Sequence, residues 1–341
     1  MNKPEILILY NKPLPHIFGR RQSVESDAGV LQEVEAVAKA LERLGYRFRT
    51  NGVTRLSSVK SVLRKAKEQV IFNLVEYLPD SPTSYANVPL LCKVHRKKFT
   101  GNNFDGFINT SDKSLSKDAF KRANIPFPKY KIIPLKTNCE VKNKSYPSFE
   151  PPYIVKPSCA NGSEGISVSS IFFRKDERLF NVIREIHRKH KCDALIEKFI
   201  EGREFNVSII CKNKKPLALP ISEIDFSLFP PNRPHIVDYD IKWKPGTIPG
   251  VVSPRKVPAD VDKKTAKRIC RTAIDAWRAC KCCDYARVDM RMDEDGNLYV
   301  LEVNANPDIS PKAGLPAALN AAGIHFDDFV ELLISNALAR C

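Results

Sequence analysis

Apolar and polar positions follow two rhythms along the first hundred residues. Ile6 to Tyr10 is an unbroken apolar run and predicts a buried strand. From Ala28 to Leu44 the apolar residues fall at Val30, Leu31, Val34, Val37, Ala38, Leu41 and Leu44, the stripe of an amphipathic helix, and Gly45 follows as its stop. Ser58–Lys67 repeats the helical rhythm and Val70–Val75 the buried-strand one. Strands interleaved with helices predict a small parallel α/β unit up to about residue 111.

The texture then changes. Asp112 to Asn124 reads as a helix capped by Ser111 and ended before Pro126 and Pro128. Short strands are expected at Tyr130–Pro134, Pro152–Pro157 and Ile166–Phe173, with the small-residue loop Ser158–Gly165 before the last, and a helix at Leu179–Lys191. Nine prolines between residues 212 and 258 exclude helix interiors and central strands there, so a long shaped loop is expected. Asp262–Ala279 returns to helix. The fold class is α/β with an α+β remainder, divided at 1–111, 112–200 and 201–341.

The most informative stretch is residues 285–307. Two alternating segments flank Asp295-Gly296, a dipeptide favoured in two-residue hairpin turns. With that turn centre, Asp289 lies opposite Glu302 and Arg287 opposite Asn304, all four on one face. Val288, Met290, Met292, Tyr299, Leu301 and Val303 would form the apolar face. Facing carboxylates repel unless a cation lies between them. Asp, Glu and Asn oxygens on a rigid ribbon suit Mg²⁺, which shares its shell with water and phosphate, and Arg287 can hold a phosphate or a developing negative charge. An ordinary solvated hairpin face is the bland alternative.

Composition narrows the choices. Of 341 residues, 43% are hydrophobic and 28% charged, enough for a sizeable core. No apolar run near the N-terminus is long enough for a membrane span or an export signal, so a soluble cytoplasmic protein with reduced thiols is expected. The cluster Cys280-Lys281-Cys282-Cys283 lacks a second ligand pair at metal spacing and reads as buried thiols. The net charge of +16 divides as +7, +8 and +1 over the three segments. Spread charge without a basic tail favours anionic small ligands and disfavours nucleic acid. No G-x-x-x-x-G-K-[ST], G-x-G-x-x-G or H-E-x-x-H motif is present.

The segment Val300-Leu-Glu-Val-Asn-Ala-Asn-Pro307, preceded by Ala286-Arg-Val-Asp289, resembles the magnesium signature of the ATP-grasp superfamily, and especially its D-alanine–D-alanine ligase branch. The resemblance runs from Ser111 to about Val330. It implies a two-lobed ATP-grasp domain after the first α/β domain. It also implies ATP and two Mg²⁺ ions (Mn²⁺ being an alternative) held by Asp289, Glu302 and Asn304, with Arg287 stabilising a tetrahedral intermediate. Ser111-Asp-Lys113 and Pro152-Tyr-Ile-Val-Lys-Pro157 resemble the elements carrying the two nucleotide lysines, here Lys113 and Lys156. The loop with Ser163 resembles a phosphate flap. Ala194–Glu204 resembles the hinge, where Glu197, Lys198, Phe199 and Ile200 meet the adenine and Glu204 the ribose. Val237-Asp-Tyr-Asp-Ile-Lys-Trp243 gives Lys242 a phosphate role and puts Trp243 where the ligases carry tyrosine. Ser23-Val-Glu25 resembles the element that orients the first substrate's ammonium through Glu25.

Departures follow Pro307. Asp308 replaces a glycine, and Ala313-Gly314 replaces the serine–leucine pair that holds the second D-alanine carboxylate. A product other than D-alanyl-D-alanine is therefore expected, with Asp308 and Lys312 as candidate second-substrate residues unless Asp308 caps the helix Pro316–Ala322. The implied activity is ADP-forming ligation of a carboxylate to an amine through an acyl phosphate. The substrates would be small amino acids or peptides, with a homodimer as the assembly to test for and no membrane partner. A larger anionic or peptide acceptor and a non-catalytic ATP-binding scaffold stay open as alternatives.

Overall fold

The apolar runs ILILY and VIFNL become the two inner strands of a parallel sheet, buried on both faces as such strands must be. The computed structural model of the protein describes residues 3–13, 24–135, 146–160, 162–243 and 255–340, with the backbone alone at 24–28 and 243. The first sheet has the order β2 (Phe48–Val53), β1 (Ile6–Asn11), β3 (Val70–Leu74), β4 (Lys98–Phe99), all parallel. On one face, Ile6, Ile8 and Phe72 pack with Val30, Val37 and Leu41 of α1 (Val24–Arg43) and with Phe329, Val330 and Leu333 of α10 (Phe326–Ala339). On the other, Leu7, Leu9 and Ile71 join Val59 and Leu63 of α2 (Leu56–Lys65). That core continues through Phe107 of α4 (Phe104–Ser111) into the third sheet.

The second sheet is antiparallel, with the order β5 (Tyr130–Ile133), β8 (Ala194–Lys198), β6 (Tyr153–Pro157), β7 (Ile171–Phe172). Leu179, Phe180, Ile183 and Ile186 of α6 (Arg178–His190) cover Tyr153, Val155 and Ile196. The third sheet is also antiparallel and has the order β12 (Arg255–Lys256), β11 (Ser222–Ile224), β9 (Arg203–Lys212), β13 (Tyr285–Met292), β14 (Leu298–Asn304), with β10 (Lys215–Ala218) pairing β9. Beneath it lie Ile269, Ala273, Ala276 and Trp277 of α8 (Lys263–Ala279). Among the described residues no helix is long and apolar enough to cross a membrane.

Several local expectations need correction. The cap of α5 (Lys113–Arg122) is Asp112, whose carboxylate accepts from Ser114 N at 2.7 Å, and not Ser111, whose hydroxyl turns back to Ile108 O. The strand expected at 166–173 shrinks to β7 after a 3₁₀ turn at Val168–Ser170. The proline-rich stretch is not one loop. It opens as a β9–β10 hairpin in which Asn213 and Lys214 take positive φ, the pattern of a type I′ turn. It then supplies β11, α7 (Tyr239–Trp243) and β12. Pro216 is tolerated because β10 is an edge strand.

The hairpin turn also differs, and its consequence is instructive. Asp293 N donates to Asn297 O and Gly296 N to Asp293 O, both at 3.0 Å, so three residues, Glu294 to Gly296, form the loop. That pairs Met290 with Val300 and Met292 with Leu298, one place off the two-residue reading. A bulge at Leu301 then restores the pairs Asp289–Glu302 and Arg287–Asn304. The apolar face accordingly runs through Val288, Met290, Leu298, Val300 and Val303, while Tyr299 and Leu301 are only half-buried.

Candidate active site

β13 and β14 offer their polar face to a cleft of about 830 Å³ that reaches from the second sheet to the N-terminal end of α9 (Gly314–Ala321). Arg287 grips Asp289 with two parallel bonds, Nε and Nη2 each at 2.7 Å. Asn206, opposite Asp289 on β9, adds a third at 2.8 Å. Asp289 is thereby fixed almost out of solvent beside the cleft, while Arg287, Glu302 and Asn304 line it. Burial raises the Glu302 pKa, but the charges of Lys113, Lys156, Arg287 and Lys242 outweigh it and hold the carboxyl at about 2. Lys113 Nζ stands 3.4 Å from Glu302. Asn304 Oδ1 accepts from Asn306 N at 3.0 Å.

This donor set fits a hard divalent cation that takes part of its shell from phosphate. Two carboxylates and an amide oxygen share one face, and the cations Arg287 and Lys113 already lie against them. Among the described residues no three His, Cys, Asp or Glu side chains form a metal cage, so the amide and external oxygens have to complete the shell.

Lysines approach from α5, from β6 of the second sheet and from α7. Lys113, at the first position of α5, donates to Ala160 O at 2.6 Å. Lys156 is buried and pairs with Glu197 at 2.7 Å, and Lys117 pairs with the other oxygen of Glu197 at 2.5 Å. Burial alone would raise the Glu197 pKa, and the two lysines instead keep it low. Burial lowers that of Lys117, Glu197 opposing it. Lys242, on α7, lines the cleft, its pKa lowered by desolvation and by Arg287. The loop Ser158–Gly165 roofs this end. Ser163, at φ +63°, donates to Val237 O at 2.9 Å, and Tyr239 N donates to Ile166 O at 3.2 Å, tying the roof to the proline-rich stretch. Gly165, at φ +74°, has no room for a side chain, since a Cβ there would sit 2.7 Å from Pro157 and 2.8 Å from His190.

The hinge is organised by Arg291, which the sequence reading missed. Arg291 donates to Ile200 O at 2.8 Å, to Glu204 at 2.7 Å and to His235 O, and its guanidinium lies 5.1 Å from the Phe199 ring centre. Phe199, Ile200 and Glu204 therefore cluster around Arg291 while Glu197 faces Lys117 and Lys156, and none of the four lines the cleft. Lys198 turns away to Pro151 O at 2.6 Å. Strand alternation was the available signal: Arg291 follows Arg287 and Asp289 at every second position of a buried strand. Lys117 and Asn206 carried no comparable mark.

At the opposite end the cleft is lined by Glu76, Asn306, Asp308, Arg255 and Gly314. Tyr285 OH donates to Asn306 Oδ1 at 2.7 Å. Asp308 does not cap α9, whose cap is Ala313; its carboxylate accepts from Ser310 N at 2.7 Å instead. Behind it, burial and then the charges of Glu76 and Asp308 push the Glu33 pKa well up. Lys312 is exposed and stands outside the cleft. In its place is Arg255, near enough to Gly314 that a Cβ there would lie 3.5 Å from the guanidinium carbon. Glu25 falls on the backbone of α1, and its side chain, like that of Trp243, lies outside the described residues.

Comparison with known proteins places this arrangement. The family model described as D-ala D-ala ligase C-terminus matches residues 119–335. The D-alanine–D-alanine ligase of Geotalea uraniireducens (strain Rf4) is 30% identical over 242 residues, 71% of each chain. That of Sphingopyxis alaskensis is 28% identical over 320 residues, 90% of this chain and 92% of its own. A protein of Sinorhizobium fredii named only as uncharacterized protein y4sG is 27% identical over 271 residues, 80% of this chain and 75% of its own. The crystal structure of the Bacillus anthracis D-alanine–D-alanine ligase complexed with ATP superposes with a TM-score of 0.73 over 98% of both chains at 20% identity.

Proposed function

The chain belongs to the D-ala D-ala ligase family, an ATP-grasp family, and on that premise we propose that it is an ATP- and Mg²⁺-dependent carboxylate–amine ligase whose product is not D-alanyl-D-alanine. The observation that carries this reading is the face of Arg287, Asp289, Glu302 and Asn304 beside the cleft, with Lys113 3.4 Å from Glu302. Lys113, Lys156 and Lys242 supply positive charge for a triphosphate. Asp289, Glu302 and Asn304 would hold Mg²⁺, which neutralises phosphate oxygens when bound.

A carboxylate oxygen of the first substrate attacks the γ-phosphorus and ADP leaves. The amine then attacks the acyl carbon and phosphate leaves, the amine proton passing to solvent. Arg287, immobilised by Asp289, keeps N–H groups for the oxyanion that develops on that carbon. Acyl phosphates survive only where water is kept out, and the roof tied through Ser163 and Tyr239 serves that purpose.

The departure in product rests on the far end. Ala313 and Gly314 offer no hydroxyl, and no side chain caps α9. The Arg255 side chain makes no hydrogen bond or ion pair with a described residue and lines the cleft, so the amine substrate presents its acidic group to Arg255. Glu76 and Asp308, on the same wall, take an amine rather than an acid. Screening amino-acid and peptide pairs for ADP release, then weighing the product, tests the proposal. Tight ATP-Mg²⁺ binding with no ADP or phosphate from any pair would refute it in favour of a scaffold. Efficient D-alanyl-D-alanine formation would remove the departure in product.

A further inference from the structure

The pairing of β6 with β8 runs Tyr153–Lys198 to Pro157–Ala194, and Ser158 N extends it by donating to Asp193 O at 3.0 Å. One residue farther, Cys159 faces Cys192. Phe199 N bonds Pro152 O, so alternate pairs down to Ser158–Asp193 are the hydrogen-bonded ones. Cys159–Cys192 is then a non-bonded pair, with Cα atoms about 4.5 Å apart in such ladders, inside the range of about 4.4–6.8 Å that a disulfide spans. The two thiols are close enough to shift each other's titration, and Ser158 is fixed beside them, its N–H donating to Asp193 O and its hydroxyl to Asp112. Cys159 lines the cleft and Cys192 keeps 9% of its surface accessible.

We infer that Cys159 and Cys192 are a redox modification site: hydrogen peroxide converts them to a disulfide that fastens the root of the Ser158–Gly165 roof to the end of α6. The reactivity of the two sulfurs differs in the sense the step needs. The neighbouring Cys159 thiol lowers the Cys192 pKa, against desolvation. Among the described cysteines it is the one lowered, burial pushing Cys92, Cys270, Cys280 and Cys282 up. The Cys192 thiolate attacks a peroxide oxygen, the O–O bond breaks, and the departing hydroxide is protonated to water. Cys159, losing its proton, attacks the resulting sulfenic sulfur, the S–O bond breaks and a second water leaves. Two thiols are oxidised, one peroxide is reduced, and a dithiol reductant reverses the change.

The roof already touches this corner, since Gly165 lies against Pro157 and His190 and Lys113 holds Ala160 O. A covalent bond from Cys159 to Cys192 removes the freedom left at its first residues. Under the function proposed above, that freedom admits and releases the triphosphate, so oxidation slows turnover. This last step rests on that reading; the disulfide itself does not.

The full-length protein, treated with hydrogen peroxide, is expected to become lighter by two hydrogens and to yield a peptide cross-linking Cys159 to Cys192. Amide exchange across residues 158–165 is expected to slow about tenfold, and dithiothreitol to reverse both changes. Cys159→Ser and Cys192→Ser should lose the cross-link and the exchange change. Both cysteines recovered as separate thiols or higher oxides after peroxide would overturn the inference, as would a cross-link that leaves exchange across the roof unaltered. Neither readout depends on ligase activity, so a failure here is distinguishable from a failure of the proposed function.

Discussion

Asp289 is held by two bonds from Arg287 and one from Asn206, on paired strands where each partner stands opposite or two places away. Arg255, at the far end of the same cleft, comes from a two-residue edge strand, and its side chain bonds no described residue. The Asp289 end is thus preorganised by sheet register, and the Arg255 end presents a side-chain charge left for a ligand to satisfy. Chemistry common to a ligase family can sit in the first kind of region, and choice of substrate in the second.

The largest test of this contrast is Glu302→Gln. It keeps shape and removes the charge that four cations stabilise, so ADP release is expected to fall about 10²- to 10³-fold while the variant still unfolds in a single cooperative transition. Loss of that transition would make the residue a structural one. Lys117→Met comes next. It removes one of the two cations on buried Glu197, and a loss of about 2–3 kcal/mol in urea unfolding is expected. An unchanged midpoint would mean that this end is not held by its ion pairs. Arg255→Ala should be milder and different in kind, raising the KM for the amine about tenfold with kcat nearly constant; an equal fall in kcat would place Arg255 with the reacting atoms.

Asp284 gives the smallest effect and sharpens what pairing achieves. It accepts from Gly101 N, Asn336 and Arg340 at 2.7–3.0 Å, yet burial lifts its pKa to about 6 against those bonds, where Glu302 is held near 2. Number of bonds is therefore not the criterion; number of nearby full charges is. Because the folded protein binds the Asp284 proton more tightly than the unfolded chain, this group favours folding increasingly as pH falls from 7 towards 4. Between pH 7 and pH 5 the gain is about 1 kcal/mol, and Asp284→Asn should abolish that part of the pH dependence of unfolding. An identical pH profile in the variant would contradict the shifted titration.

Legibility from sequence divides along the same line. The parallel sheet, α6, α8 and the polar face of β13 were readable because period and burial agree there. The facing pairs were read correctly through a turn that is one residue longer than supposed, the Leu301 bulge cancelling the difference. Alternation marked Arg291, had it been followed two residues past Asp289. Lys117, Glu76 and Arg255 carry no periodic mark, since Lys117 reaches buried Glu197 from a helix, and Glu76 and Arg255 meet the cleft from a loop and an edge strand. Lys312 looked better placed in the chain, but Ser310 and Ala313 turn it outward into solvent.

The helix α10 packs on β1 and β3, the earliest strands of the chain, and Arg340 bonds Phe99 O, Gly101 O and Asp284. During synthesis, then, Ile6, Ile8 and Phe72 have only α1 to cover them on this face until α10, roughly 250 residues after Phe72, has followed. Such a chain invites a holding chaperone in the interval, and its final cooperative step is the docking of its last helix on its first strands.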